Sequence, residues 1–186
     1  MSEAREAGTD IIVFPEYGVT GTHLSEETDR ALASQFMVVG EVGRNYCQTV
    51  NTNNNDQVLH RVGCGAVAYN MYVVINIGEI VKCSQEVSLS LFYISELKQC
   101  IHSQIICNHD DGYNFYNANL VFDRTGTLIA KYWKQNLFFE PVFDVPADPV
   151  FTSFQTDFGV SFGTFICFDS LWDGSHQLLE KVSCQS

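Results

Sequence analysis

The first 77 residues alternate between helical and strand patterns, and this alternation restricts the fold more than any other feature of the sequence. Residues 1–7 are typical of a helix end that stops at Gly8, and residues 11–14 (IIVF) form a short continuous apolar run. The same order returns later: residues 56–69 show apolar side chains at helical spacing, and the run MYVVINI follows at residues 71–77. Continuous apolar runs of this length are typical of strands buried on both faces. The pattern therefore predicts an α/β fold.

Further along the chain the pattern changes to hairpins. Strands are predicted at residues 119–122 and 127–133, joined by the turn Asp-Arg-Thr-Gly, which offers Gly126 for a positive φ. Another strand is predicted at residues 158–166, and Asp169 could cap a helix after it. These features indicate one α/β domain over residues 1–186, with a layered sheet and some antiparallel pairing.

The charge balance argues against a nucleic-acid partner. The chain has 10 Lys and Arg against 22 Asp and Glu, a formal net charge of −12, and its basic residues form no cluster. A phosphate backbone needs clustered Lys and Arg, so this surface would repel it. No transmembrane segment is expected either, because the apolar stretch 66–77 is interrupted by Asn70 and Asn76 and is too short to cross a bilayer. The first ten residues are charged and do not resemble a signal peptide.

Cysteine usage singles out one thiol. The chain has seven cysteines, and an odd count indicates one with a role other than pairing. Two Cys-x-His pairs, at residues 100–102 and 107–109, lack the spacing of zinc sites, so no metal is expected. Phosphate-loop and dinucleotide-binding signatures are absent from the sequence, and no cofactor is expected.

Three chemically suitable side chains follow three predicted strands: Glu16, Lys134 and Cys167. Ligands of open α/β sheets collect at the carboxyl ends of the strands, so we expect these side chains to lie together. A carboxylate base, an ammonium and a thiol are the groups that hydrolyse an amide through a thioester. Each residue also has a simpler interpretation. Glu16 could be an exposed loop glutamate, Lys134 a solvated lysine and Cys167 an inert buried cysteine.

The residues around Cys167 form the most specific local pattern. The strand predicted at 158–166 turns sharply at Cys-Phe-Asp into a helix, as in a nucleophile elbow. The helix N-terminus is expected to lower the pKa of the thiol, and the backbone N–H of Phe168 to face a developing oxyanion.

Glu140 is an accessory candidate that could orient Lys134 or assist the base, and a surface salt bridge explains it equally well.

A papain-like Cys–His pair is the weaker alternative. His176 lies nine residues after Cys167 on the predicted helix, where it points away from the helix N-terminus. His23 lies in a glycine-containing loop and could line the lip of a pocket, although such a histidine is more often simply exposed.

Around these residues the sequence resembles the nitrilase, or carbon–nitrogen hydrolase, superfamily, and within it the biotinidase and vanin (pantetheinase) branch. The matching strings are EAREAGTDIIVFPEYGVTG, VLHRVGCGAVAYNMYVVINIG, YNFYNANLVFDRTGTLIAKYWKQNLFFEPVFDVP and FGVSFGTFICFD, about two-thirds of the chain. The resemblance implies that Glu16 is the base, Lys134 the oxyanion-stabilising lysine and Cys167 the nucleophile. Glu140 matches an accessory acidic position.

The resemblance also implies a fold and a substrate class. The fold would be a four-layer α-β-β-α sandwich, truncated here at both ends. Small linear amides would be the substrates, with pantetheine cleaved to pantothenate and cysteamine, or biotinyl-lysine to biotin and lysine. The protein would be secreted or membrane-anchored outside the cell, a homodimer at full length, and its six other cysteines could pair as disulfides, with the pairing left open.

Two segments depart from this resemblance, residues 85–106 and 173–186. We therefore expect a partial carbon–nitrogen hydrolase domain, a fragment or a mis-assembled reading frame, that has little turnover by itself. The alternative function is a catalytically inactive remnant of the fold that acts as a binding or scaffold protein.

Overall fold

The computed structural model of the chain describes residues 1–21, 36–49, 56–83, 106–148 and 150–174. Nearly all of the segments 85–106 and 173–186 lies outside these ranges, as do His23 and His176. None of the helices in the described ranges has the length and apolarity needed to span a membrane.

The described ranges contain six strands, one longer helix and two short helical elements. In chain order they are helix α1 (Ser2–Glu6), strand β1 (Ile11–Val13), helix α2 (Asp56–Tyr69), strands β2 (Tyr72–Lys82), β3 (Tyr113–Phe122), β4 (Leu128–Trp133), β5 (Thr152–Gln155) and β6 (Ser161–Thr164), and a 3₁₀ helix (Cys167–Leu171).

The direction of the strands brings two loops to the same end of the main sheet. The strand order is β1-β2-β3-β4, with β1 parallel to β2 and the other two pairs antiparallel. Strands β1 and β4 therefore run in the same direction, and their carboxyl ends lie at the same end of the sheet. Glu16 follows β1 and Lys134 follows β4, so the fold brings both residues to this end of the sheet.

The main sheet is covered on both faces. Leu59 and Ala66 of α2 pack against one face together with Ile75 of β2. Val74, the preceding residue of β2, points to the other face and contacts the cluster around Phe154 of the small β5–β6 sheet. The described residues thus form three layers in the order α-β-β, and the α/β class predicted from the sequence is confirmed.

Strand β1 corrects one prediction. It was expected to be buried on both faces, but Val13 is 65% exposed because β1 is the outermost strand of the sheet within the described ranges. The expectation holds for β2, which is buried from Tyr72 to Glu79.

The region before Cys167 corrects two more predictions. The strand predicted at 158–166 begins only at Ser161, because Phe158 lies in a turn where Gly159 has φ +78°, and β6 pairs with the unpredicted strand β5. Asp169 is not the N-cap residue of a helix: it is the third residue of the 3₁₀ helix, and its carboxylate caps that helix by accepting the N–H of the N-cap residue Ile166.

Gly126 closes the β3–β4 hairpin, as the sequence predicts. Its φ is +78°, and a Cβ at this position would lie 2.8 Å from the carbonyl oxygen of Gly63 in α2. A glycine is needed here both for the backbone conformation and for the close approach of helix and hairpin.

Four of the cysteines form disulfides, Cys47–Cys64 and Cys83–Cys107, and Cys167 is a free thiol. Cys47–Cys64 ties α2 to the loop before it. Cys100 and Cys184 lie outside the described residues.

Candidate active site

Glu16, Lys134 and Cys167 lie together although they are far apart in the sequence. The Nζ of Lys134 is 2.7 Å from Oε1 of Glu16. Cys167 follows β6 at the end of the second sheet, where its thiol lies close enough to Glu16 and Lys134 for both charges to shift its pKa. The site therefore combines a carboxylate, an ammonium and a free thiol.

Lys134 is the buried centre of the cluster. Its side chain is only 2% exposed, and its ammonium also contacts Oε2 of Glu140 at 2.7 Å. Burial alone would lower the pKa of Lys134, but the hydrogen bonds with Glu140 and Glu16 outweigh it and raise the pKa. Lys134 therefore carries a fixed positive charge.

Glu140, the accessory candidate, is held as a carboxylate. Burial raises its pKa, but hydrogen bonds from Lys134, from the Tyr17 hydroxyl and from the backbone N–H of Phe138 (3.0 Å) outweigh that effect and lower it. Tyr17 stays protonated and donates to Glu140, because burial and the neighbouring carboxylates raise the pKa of its phenol.

Asn117 bridges the two glutamates. Its side-chain amide donates to Oε1 of Glu16 and to Oε1 of Glu140, both at 2.8 Å, and its backbone carbonyl accepts the backbone N–H of Lys134 at 2.8 Å. One residue of β3 thus fixes three members of the cluster.

Two further asparagines extend this contact across the sheet. The Nδ2 of buried Asn76 donates to Oδ1 of Asn117 at 2.7 Å and to Oδ1 of Asn119 at 3.1 Å, and its own Oδ1 accepts the N–H of Tyr17. Asn119 in turn donates to Thr164 at the end of β6. These contacts connect the strand ends that carry Glu16 and Cys167.

The nucleophile candidate has a strained backbone and a thiol with a raised pKa. Cys167 has φ +43°, in the left-handed region that non-glycine residues rarely adopt. The sequence predicts a lowered pKa, and this prediction is wrong. Burial and the charge of Glu16 raise the pKa, and the opposing effects of Lys134 and of the Phe168 backbone N–H are too small to reverse it. The resting sulfur is therefore a thiol beside a carboxylate, not a thiolate.

Exposed aromatic rings lie beside Cys167. The ring of Phe168 contacts the rings of Phe138 and Trp172, at centroid distances of 5.1 and 6.2 Å. Phe139, next to Phe138, is 85% exposed and also has a left-handed backbone, with φ +51°. Three of the described left-handed residues other than glycine, Tyr17, Phe139 and Cys167, thus belong to the loops of the site or lie beside it.

Sequence reasoning missed Asn117 and Tyr17. A signal was present, because the string YNFYNAN places asparagines in a strand that is otherwise apolar or aromatic. Buried amides must find hydrogen-bond partners, so polar residues within a buried strand indicate a polar site.

The family model for carbon-nitrogen hydrolases matches residues 1–179, and the chain therefore belongs to the carbon–nitrogen hydrolase family. Among its curated relatives are a biotinidase of Takifugu rubripes, 33% identical over 171 residues, and a pantetheinase of Sus scrofa, 34% identical over 175 residues. Each match covers 92% of this chain but 31% and 30% of the respective relative. The chain thus spans about a third of the length of the curated relatives it matches.

A solved structure supports the fold independently. The crystal structure of a carbon–nitrogen hydrolase from Helicobacter pylori G27 has a TM-score of 0.58 to this chain at 11% sequence identity. The match covers 95% of this chain and 46% of the bacterial one. The α-β-β arrangement is consistent with the nitrilase-like sandwich that the family resemblance implies.

Proposed function

We propose that the protein hydrolyses a linear carbon–nitrogen amide bond through a thioester on Cys167. The observation that carries this proposal is the cluster itself: the free thiol of Cys167 lies beside Glu16, whose carboxylate is 2.7 Å from the buried Lys134 ammonium.

The first half of the reaction forms the thioester. Glu16 accepts the proton of the Cys167 thiol as the sulfur attacks the carbonyl carbon of the amide. The raised pKa of the thiol fits a base that removes the proton during attack. Lys134 and the backbone N–H of Phe168 stabilise the tetrahedral oxyanion, and one such donor contributes roughly 10²–10³ in rate. Protonated Glu16 then gives its proton to the nitrogen, the C–N bond breaks and the amine leaves.

The second half releases the acid. Glu16, again a carboxylate, takes a proton from a water molecule whose oxygen attacks the thioester carbonyl. The C–S bond breaks, the carboxylic acid leaves, and the sulfur recovers its proton from Glu16. Throughout both halves, Glu140 and Asn117 hold Lys134 and Glu16 in place.

The substrate class follows from the relatives. Because they include biotinidases and pantetheinases, we propose a small amide of the biotinyl-lysine or pantetheine type as the substrate. We also propose an extracellular location, either secreted or membrane-anchored. The two disulfides support it, since disulfides persist mainly in oxidising compartments.

The test uses protein expressed from the complete transcript that encodes this sequence. It is incubated with pantetheine and with biotinyl-lysine, and free cysteamine or free lysine is measured. We expect release from one substrate and a loss of at least a hundredfold in Cys167→Ser, with Cys47–Cys64 intact in both proteins as a folding control.

Equal release from the Cys167→Ser variant would overturn the mechanism. Binding of either compound without cleavage by the wild-type protein would overturn the proposed activity and favour the alternative of an inactive binding protein.

A further inference from the structure

Asp169 has more hydrogen bonds than its place in a short 3₁₀ helix requires. Its carboxylate is only 3% exposed and accepts five hydrogen bonds. The donors are the Tyr132 hydroxyl (2.8 Å), the N–H groups of Gln135 (3.3 Å), Asn136 (2.8 Å) and Ile166 (3.1 Å), and the side-chain amide of Asn136 (2.9 Å).

The positions of these donors are informative. Tyr132, Gln135 and Asn136 lie on either side of Lys134, and Ile166 directly precedes Cys167. Oδ1 binds the loop after β4, whereas Oδ2 binds Tyr132 and Ile166. One carboxylate therefore joins the backbone that carries the lysine to the backbone that carries the thiol.

We propose that Asp169 is a positioning residue: it sets the distance between the Cys167 turn and the Lys134 loop, so that the thiol faces Glu16 and the oxyanion faces the ammonium. The proposal rests on the proposed function for its catalytic consequence. Asp169 touches neither the substrate nor the reacting atoms and acts through the backbone on both sides of it.

The strained turn at Cys167 gives this contact its importance. A left-handed non-glycine residue persists only where surrounding contacts fix it, and the Asp169 carboxylate accepts the N–H of the residue just before Cys167. Without that acceptor the turn is free to relax, and the sulfur moves away from Glu16.

Replacing Asp169 by asparagine tests these hydrogen bonds with little change in side-chain shape. Asparagine has nearly the shape of aspartate, but one of its two polar atoms donates hydrogen bonds. Four of the five donors to Asp169 are N–H groups, which cannot accept a hydrogen bond. The amide nitrogen of the new asparagine therefore faces at least one of these N–H groups, which is left without an acceptor, and the negative charge is lost.

The experiment compares Asp169→Asn with the wild-type protein and with Asp157→Asn as the matched control. Asp157 pairs with Arg124 in the exposed turn between β5 and β6, and none of its described contacts involves the cluster. For Asp169→Asn we expect kcat to fall roughly 10²–10³-fold, as much as when one oxyanion donor is removed, and KM to change less than threefold.

A second readout does not depend on amide hydrolysis. The pKa of the Cys167 thiol is raised by burial and by Glu16, so its alkylation by iodoacetamide at pH 7.5 (about one unit below the usual thiol pKa) is slow in the wild-type protein. In Asp169→Asn the displaced thiol returns towards its ordinary pKa, and alkylation becomes several-fold faster while hydrolysis becomes slower. Thermal unfolding monitored in the same buffer identifies the temperature range in which the variant is folded.

Opposite changes in the two rates within that range support the proposal. An unchanged alkylation rate, or a lower melting temperature with unchanged kcat per folded molecule, would overturn it. If the wild-type protein cleaves no amide, the proposed function fails, and the alkylation rates alone decide whether Asp169 positions Cys167.

Discussion

Lys134 is the residue whose replacement should reveal most about the cluster. In Lys134→Met the side chain keeps a similar length, but the ammonium that contacts Glu16 and Glu140 at 2.7 Å is lost. The two carboxylates then share the Asn117 amide with no cation between them. Because Lys134 is 2% exposed, we expect the free energy of unfolding at pH 7 to fall by about 3–5 kcal/mol, as for other buried pairs that lose one partner.

The pH dependence provides the sharper test. In the wild-type protein the pKa of Glu140 lies below 4.5, so its contribution to stability is present above that pH and is lost as the pH falls through the folded-state pKa. In Lys134→Met only the hydrogen bonds from Tyr17 and from the Phe138 N–H still oppose burial, so we expect the pKa of Glu140 to rise above its unfolded value. Acidification then relieves the repulsion between the two carboxylates, so the stability gap between variant and wild type narrows from pH 7 to pH 5.

Urea denaturation followed by circular dichroism at both pH values measures this gap. Lys82→Met, the same change at an exposed position of β2, should alter stability by less than about 0.5 kcal/mol. The double variant Lys134→Met/Glu140→Gln should recover part of the loss at pH 7, because it removes one of the two carboxylates. A gap that stays constant or widens on acidification would refute the electrostatic description of the cluster.

Three further predictions concern other parts of the molecule. Replacing Cys47 and Cys64 together by serine should cost about 3 kcal/mol in urea denaturation, because their disulfide closes a loop with a sequence separation of 17; a loss below about 1 kcal/mol would contradict this. Phe139→Gly should change stability by less than about 1 kcal/mol, since glycine adopts φ +51° freely and the exposed ring contributes little burial; calorimetry would show a larger loss if the ring were packed. Alkylation of Cys167 should still accelerate above pH 9.0, and Glu16→Gln should move that rise to lower pH; a rate that already levels off below pH 9.0 in the wild-type protein would contradict the raised thiol pKa.

Local patterns were sufficient to predict the main elements. The apolar run before Glu16, the helix that ends at Tyr69 and the hairpin turn at Gly126 depend on neighbouring residues, and each is present in the structure. The extent of burial was less predictable. Val13 has the same local pattern as the residues of β2, but it is exposed because no described strand lies outside β1.

The candidate site also has a part that the sequence predicts and a part that it does not. The types of Glu16, Lys134 and Cys167, and their positions after strands, can be read from the sequence. Asn117, which bridges the two glutamates, cannot be assigned without knowing which strand lies beside which. The role of Asp169 cannot be read from the sequence for the same reason, since four of its five donors come from β4 or from the loop after β4.

The sequence alone determined the α/β class, the turn residues and the candidate chemical groups, because these depend on side-chain periodicity and residue type over a few neighbouring positions. The charge states of the site depend on the tertiary structure. The pKa of the Cys167 thiol is raised, against the sequence prediction, because the thiol is partly desolvated and because the Glu16 carboxylate, from a loop far away in the sequence, lies close to it in space. Electrostatic interactions depend on distance in space, and that distance exists only once the strands have paired.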